Sequence, residues 1–287
     1  MKKSKLFRAI LAIAVPATVF FALLNYLQKP LTAQTSSVHL TMGNPTGANT
    51  SFSNLLLSKA QYATSHNCFR GTPNWVSWQL NRSWLGSAPR QDDFRADALP
   101  SGCYRVVTSD YTGSGFDRGH MAPSADRTNT IANNSATFFM TNIIPQAPDN
   151  NQGVWANLEN YSRSLVTGQN RELYIISGSY GTGGTGSNGD RTTIAGGKVT
   201  VPARTYKVIV ILDRPGLGVS GVTTNTRVIT VDIPNTQGVR NADWKDYRIS
   251  VDTLEARLFK TTGTTYDFLS NVSSSIQNVI EARVDNL

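Results

Sequence analysis

Three runs in the second half of the chain, Glu172–Ser177, Val199–Leu212 and Thr226–Ile233, are dominated by β-branched and other apolar residues. Such side chains are stiff at their first torsion and favour a pleated, packed surface. The chain is therefore expected to build a sheet, with Pro202 at the edge of the middle run because proline cannot donate to a ladder. Trp75–Leu80 alternates as a further strand would, Tyr104–Thr108 is a shorter strand, and Thr137–Ile144 suits a buried one. Helical spacing appears at Leu55–Ala63 and at Asn151–Val166, where Trp155, Leu158, Tyr161 and Leu165 share a side. Two more helices close the chain, one capped by Ser250 and ending near Phe259, the other over Val272–Val284. No repeat or linker divides this pattern, which reads as one α+β domain.

The glycine-rich stretch Gly178–Gly189 follows a strand, as a nucleotide-binding loop would. A phosphate-cradling loop must open a helix, however, and this one runs on into another β segment. It reads as a long hairpin loop. Residues 34–53, rich in Thr, Ser, Asn and Gly, read as an irregular lead-in, with the packed domain spanning 54–287.

The charge is unevenly spread. Lys+Arg outnumber Asp+Glu by 27 to 19, a formal +8, but Lys2, Lys3, Lys5, Arg8 and Lys29 all fall within the first 33 residues, which hold no acid. The remainder is only +3, so bulk charge does not argue for a nucleic-acid surface. The basic stretch Met1–Arg8, the apolar run Ala9–Leu24 and the small-residue site Leu31–Ala33 make residues 1–33 a signal peptide. Extended through Tyr26 and Leu27, the run approaches the ~20 residues of a membrane span, and a retained signal anchor is the alternative. The protein is accordingly expected to be secreted or periplasmic, or membrane-anchored with an extracytoplasmic domain; a membrane partner enters only if the segment is retained. In an oxidising compartment the two cysteines, Cys68 and Cys103, suggest a disulfide, with two buried free thiols as the alternative.

Of the three histidines, only His120 has chemical company, in Phe116-Asp117-Arg118-Gly119-His120-Met121. An imidazole can serve as general base near neutrality. Downstream, amides cluster in Thr141–Gln146 and Asn150–Gln152, followed by Trp155–Glu159. On one continuous helix Asn151 and Glu159 would lie about 80° apart and could face one cleft, offering the hard oxygen ligands that Mg²⁺ accepts. The plain structural alternative is that Asn151 caps the helix and Glu159 pairs with Arg163 one turn on.

Asp117-Arg118-Gly119-His120, the block Asn142…Pro145-Gln146, Asn151 and Trp155…Leu158-Glu159 resemble the DNA/RNA non-specific endonucleases, a branch of the ββα-metal (His-Me finger) nucleases. The resemblance runs from about Gly71–Trp75 to the C-terminal helix and takes in Arg90–Arg95 and Phe268–Ser273. The cysteine pair has no counterpart in the family. The resemblance implies a central antiparallel sheet flanked by helices, with a ββα-metal finger active site. It makes His120 the general base, Asn151 the direct protein ligand of Mg²⁺, and Glu159 a ligand through water. Asn142 would position the histidine and the phosphate. Arg90 would stabilise the phosphorane, a role worth about 3–4 kcal/mol. Arg118, Arg127 and Arg163 would contact phosphates, with Asp117 orienting Arg118 or a neighbour. A metal held by one neutral amide would exchange readily, so Mn²⁺ or Co²⁺ could replace it. DNA and RNA are the implied substrates, and an inhibitor protein is an implied partner. The competing reading is a secreted nucleic-acid-binding protein without catalysis, which the intact residue set argues against.

Overall fold

The computed structural model describes residues 37–286. The expected signal segment lies outside them, and no helix among the described residues is long and apolar enough to cross a membrane. The chain passes through strands β1 (Leu55–Ser58), β2 (Ala63–Asn67) and β3 (Thr72–Leu80), and then a separate two-stranded hairpin, β4 (Asp117–His120) with β5 (Ile143–Gln146). Helix α1 (Ile131–Ala136) sits between those two strands, and α2 (Ala156–Gln169) follows them. Strand β6 (Glu172–Tyr180) leads into two small pairs, β7 (Gly184–Gly186) with β8 (Gly189–Arg191) and β9 (Thr193–Ile194) with β10 (Val199–Thr200). The chain ends through β11 (Arg204–Leu212), β12 (Arg227–Pro234), α3 (Val251–Thr262) and α4 (Ser274–Ile280).

Six strands form the central sheet in the order β1-β2-β3-β6-β11-β12, every neighbour antiparallel. The run read as Val199–Leu212 breaks where Pro202 interrupts it, leaving β10 outside the sheet and β11 inside. Along β11 the side chains alternate: Tyr206, Val208, Val210 and Leu212 pack with α3 and α4, and Ile209 and Ile211 pack with α2. Both faces are covered, which is why these strands read as near-continuous apolar runs. The glycine-rich stretch opens no helix, as expected, but it is not all loop: residues 178–180 complete β6, and the residues from Gly184 form the β7–β8 hairpin.

Several expected elements differ. Leu55–Ala63 is not helical; Lys59 N donates to Tyr62 O, closing a turn between β1 and β2. Tyr104–Thr108 is not a strand, and the strand expected over Thr137–Ile144 begins only at Ile143, after a 3₁₀ turn at Met140–Asn142. The last helix is shorter than expected. Residues 38–53 are irregular but packed: Met42 joins the core, and the His39 ring bridges Gln79 N and Ala60 O. The packed fold thus begins ahead of residue 54. Ser250 caps α3 as expected, its Oγ accepting from Thr253 N. The Cys68–Cys103 disulfide is formed.

Candidate active site

The β4–β5 hairpin and α2 make a ββα finger. Its register pairs Asp117 with Gln146, Gly119 with Ile144 and His120 with Ile143. A Cβ on Gly119 would clash with the Gln146 side chain, so only glycine fits there. Gln146 is itself fully buried and bonded to Asn150. The close packing at Gly119 sets the strand that carries His120.

His120 is 8% exposed, its ring held edge-on against Phe138 and tilted against Phe94. Its Nε2 is buried without a hydrogen-bond partner. Burial first, and then the positive charges of Arg90 and Arg118, pull its pKa down to about 3. The imidazole is therefore neutral at pH 7 and can accept a proton. Asn142 is fully buried and committed to the segment just after His120: its Oδ1 accepts from Ala122 N, and its Nδ2 donates to Ala122 O and Thr137 O. Its amide has no donor left for a phosphate. That part of the expectation is corrected: Asn142 acts on the loop following His120 and makes no phosphate contact.

Asn151 does not cap a helix. It lies in a wide π-type turn, Asn150–Trp155, in which Gly153 departs from helical torsions (φ −118°, ψ −108°). Glycine is required at 153 because a Cβ would clash with Arg240 O. Such turns often mark functional positions. The turn breaks the continuous-helix arithmetic that put Asn151 and Glu159 about 80° apart. Asn151 Nδ2 donates to Asp117 Oδ2 at 2.8 Å, as does Gln152 Nε2 at 2.7 Å. A carboxylate only accepts, so Asp117 fixes the amide with its nitrogen on the carboxylate and leaves Oδ1 as the atom available to a cation. Asp117 therefore orients Asn151, where the resemblance implied Arg118 or a neighbour.

Asn151, Asp117, Arg118 and Arg90 converge on one cleft of about 410 Å³, with Phe94 and Tyr111 in its wall. Arg90 bonds Asp92 and Ser124 Oγ and lies over the Phe138 ring, which also packs edge-on with His120 and Phe94. Arg118 stacks on Phe94, 4.2 Å from its centroid. Five expected residues are not in the lining: His120, Asn142, Glu159, Arg127 and Arg163; the His120 ring lies just behind it, against Phe94 of the cleft wall. Glu159 pairs through Oε1 with Lys207 Nζ at 2.9 Å, not with Arg163. Arg163 pairs instead with Asp126, which also accepts from Trp78 Nε1. Arg127 is 0% exposed, its guanidinium bonded to the carbonyls of Gln61, Gln79 and Asp126 and stacked on Trp84. A side chain so enclosed cannot reach a phosphate, and Arg127 is corrected to a structural residue.

Lys207 was not anticipated, although a lone lysine within Arg204–Leu212 was the signal for it. It is 1% exposed, lies 3.6 Å from the centroid of Trp155, and reaches from the sheet to the carboxylate of α2. Burial lowers its pKa, and Glu159 opposes that shift. The aromatic seat of His120, Phe94 with Phe138, was likewise invisible, because it joins residues far apart in sequence.

The arrangement pairs a neutral imidazole with two arginines and an oriented amide, a set suited to a phosphodiester. Comparison with known proteins agrees. Residues 41–275 match the model of the DNA/RNA non-specific endonucleases. The chain is 54% identical to a nuclease of Nostoc sp. over 87% of each protein. It is also 36% identical to human mitochondrial endonuclease G, over 48% of each chain. Among solved structures, a chain of the EndoG/EndoGI complex superposes with a TM-score of 0.65, at 22% identity, covering 83% of this chain and 93% of that one; at that identity it supports the fold. With Arg90, Asp117, Arg118 and Asn151 of the family's motifs lining one cleft and the match spanning nearly all of the described chain, the protein belongs to the DNA/RNA non-specific endonuclease family and is a nuclease.

Proposed function

We propose that the protein is a Mg²⁺-dependent endonuclease that hydrolyses DNA and RNA, single- or double-stranded, to 5′-phosphate and 3′-hydroxyl ends. The observation that carries this reading is a neutral, buried His120 under the charges of Arg90 and Arg118, the two arginines that line one cleft with Asn151 and the Asp117 that holds its amide. The cleft offers one amide oxygen to a hard cation that would keep most of its waters, while Glu159, which the resemblance implies in the second sphere, lies outside the lining with its Oε1 on Lys207. When bound there, Mg²⁺ would supply charge to the phosphate and the leaving oxygen.

The chain's own residues account for the rest. His120 accepts a proton from the attacking water. With its pKa near 3 it is a weak base in the free enzyme, because burial, and after it the charges of Arg90 and Arg118, disfavour its protonated form. A phosphodiester seated against those arginines offsets their charge, so the base strengthens as substrate binds. The Arg90–Asp92 pair is half exposed and thus weak, which lets Arg90 exchange Asp92 for a phosphate oxygen. No element in the cleft is built to read base edges, in keeping with a sugar-non-specific substrate range.

The N-terminal segment supports export, and the disulfide suits an oxidising compartment. An inhibitor protein that covers the cleft is the partner to seek. The decisive experiment measures plasmid and RNA degradation with Mg²⁺, with EDTA, and by His120→Ala. Loss of activity of about 10²–10⁴-fold is expected for the variant. Undiminished cleavage by it would remove His120 from the role of base, and undiminished cleavage in EDTA would remove the metal.

A further inference from the structure

On the face of the sheet opposite α2, three carboxylates meet where α3 begins and α4 ends. Asp252 and Glu255 are three residues apart in the first turns of α3, and hence on one side of the helix. Glu281 follows α4 directly, and its carbonyl accepts from Asp252 N at 3.1 Å, which fixes the two segments together. One carboxylate oxygen from each of the three lies within 4.8 Å of the others.

Such a cluster is ordinarily relieved by a lysine or arginine. Here none of Asp252, Glu255, Glu281 or the nearby Asp267 forms an ion pair among the described residues. Glu281 is only 7% exposed, and its Oε1 is buried with no hydrogen-bond partner. A buried carboxylate oxygen without a partner is destabilising, and more so when other acids face it. Burial, followed by the charges of Glu255, Asp267 and Asp252, pushes Glu281 up to about 8. Burial also pushes Glu255 up to about 7 against the pull of its hydrogen bond from Phe268 N.

We propose that Asp252, Glu255 and Glu281 form a calcium site that fastens the C-terminal helix to α3. The donors are all hard oxygens, with no nitrogen or sulfur ligand in the cluster. Three carboxylates exceed the one or two that Mg²⁺ uses while keeping its waters, whereas Ca²⁺ takes six to eight oxygens in flexible geometry. The exposed side, at Asp252, is open to the waters that complete the shell. Beneath the site, Val251, Leu254 and Ile280 are buried in one apolar cluster, so an ion joining the two helices clamps the segments that cover this face of the sheet.

Thermal melting of the purified full-length protein in EDTA and in excess CaCl₂ tests this, with calorimetric titration of CaCl₂ as a second readout. The wild type is expected to melt about 5–10 °C higher with calcium at a hundred times its dissociation constant. Glu281→Gln is expected to lose that shift and to keep Mg²⁺-supported nuclease activity, whereas Asn151→Ala is expected to keep the shift and lose the activity. Should Glu281→Gln fold poorly, Asp252→Asn at the exposed position makes the same test. The proposal is overturned if calcium leaves the wild-type melt unchanged, or if the shift survives in both carboxylate variants. It is equally overturned if Asn151→Ala abolishes the shift, because calcium would then be acting in the cleft. The cleft reading is judged separately, by cleavage.

Discussion

The two faces of the central sheet are both covered, but by different materials. Under α3 and α4 the core is apolar, with Leu254, Leu258, Phe268 and Leu269 against Trp75, Ile176, Tyr206 and Val208, and the buried Asp232 of β12 is met at its rim by the partly exposed Arg204 and Arg257. Under α2 the same kind of core, Trp78, Ile175, Ile209 and Leu158, is threaded by buried ionic groups: Lys207 with Glu159, and Asp126 with Arg163 and Trp78. Buried ion pairs seldom stabilise more than the apolar groups that could replace them. What distinguishes the α2 face is a buried cation, Lys207, joining the sheet to Glu159, which points to positioning, with α2 held at a defined place on the sheet.

Breaking each face should give different signatures. Lys207→Met leaves the Glu159 carboxylate without its partner and is expected to destabilise by about 3–5 kcal/mol and to reduce turnover. Adding Glu159→Gln should recover much of the stability and none of the activity, as chemical denaturation and a plasmid assay would show. On the other face, Leu258→Ala is expected to destabilise by about 2–5 kcal/mol while activity per folded molecule stays unchanged. Equal loss of activity in Leu258→Ala would erase the distinction between the faces. Reduction of Cys68–Cys103, which closes a separation of 35 residues, should come next, at roughly 3–4 kcal/mol in the chain-entropy model, again without effect on turnover below the melt.

Acid should act on the interior through histidine. His39 and His66 are displaced from 6.5 to about 4 and His120 to about 3, burial being the first cause for each. For His39 the geometry agrees, since its Nδ1 accepts from Gln79 N and so carries no proton. Because the folded state holds these rings neutral, the unfolded chain binds protons first as pH falls below 6.5. The rings' contribution to stability is then fully present above that value and is lost as pH drops toward 4, by up to about 1.4 kcal/mol per pH unit for each of the three, against a smaller opposite drift from Glu255 and Glu281, which the folded chain protonates first. A melting temperature flat from pH 6.5 to 4.5 would contradict this placement of the histidines.

What the sequence made legible follows from how local each signal is. The sheet strands could be read because side chains on two buried faces leave an unbroken apolar run, as in Val208–Leu212 of β11. The motif around His120 could be read because strand pairing needs its glycine. Leu55–Ala63 misled because three leucines at the start of a tight hairpin imitate a helical side, and the turn at Lys59–Tyr62 bears no glycine or proline. Arg127 and Arg163 could not be told from surface arginines, since what encloses them, Trp84, Gln61 and Asp126, is set by tertiary packing. Glu159 was read in the light of an ideal helix, and the turn at Gly153 altered that frame.

The smallest expected effect lies at the mouth of the cleft. Arg90 and Asp92 form a pair with side chains 50% and 64% exposed, the kind worth little to stability. Asp92 also has φ 52°, a left-handed position that asparagine tolerates. Asp92→Asn should therefore change the melting temperature by less than about 1–2 °C. Removing the carboxylate also removes the group that a phosphate must displace from Arg90, so KM is expected to fall by a few-fold at low salt, with kcat nearly constant. Screening weakens exposed charges, and the gain should shrink as ionic strength rises. A fall in kcat instead, with KM unchanged, would mean that Asp92 holds Arg90 for the transition state, and the exposed pair would then belong with the buried ones behind the finger.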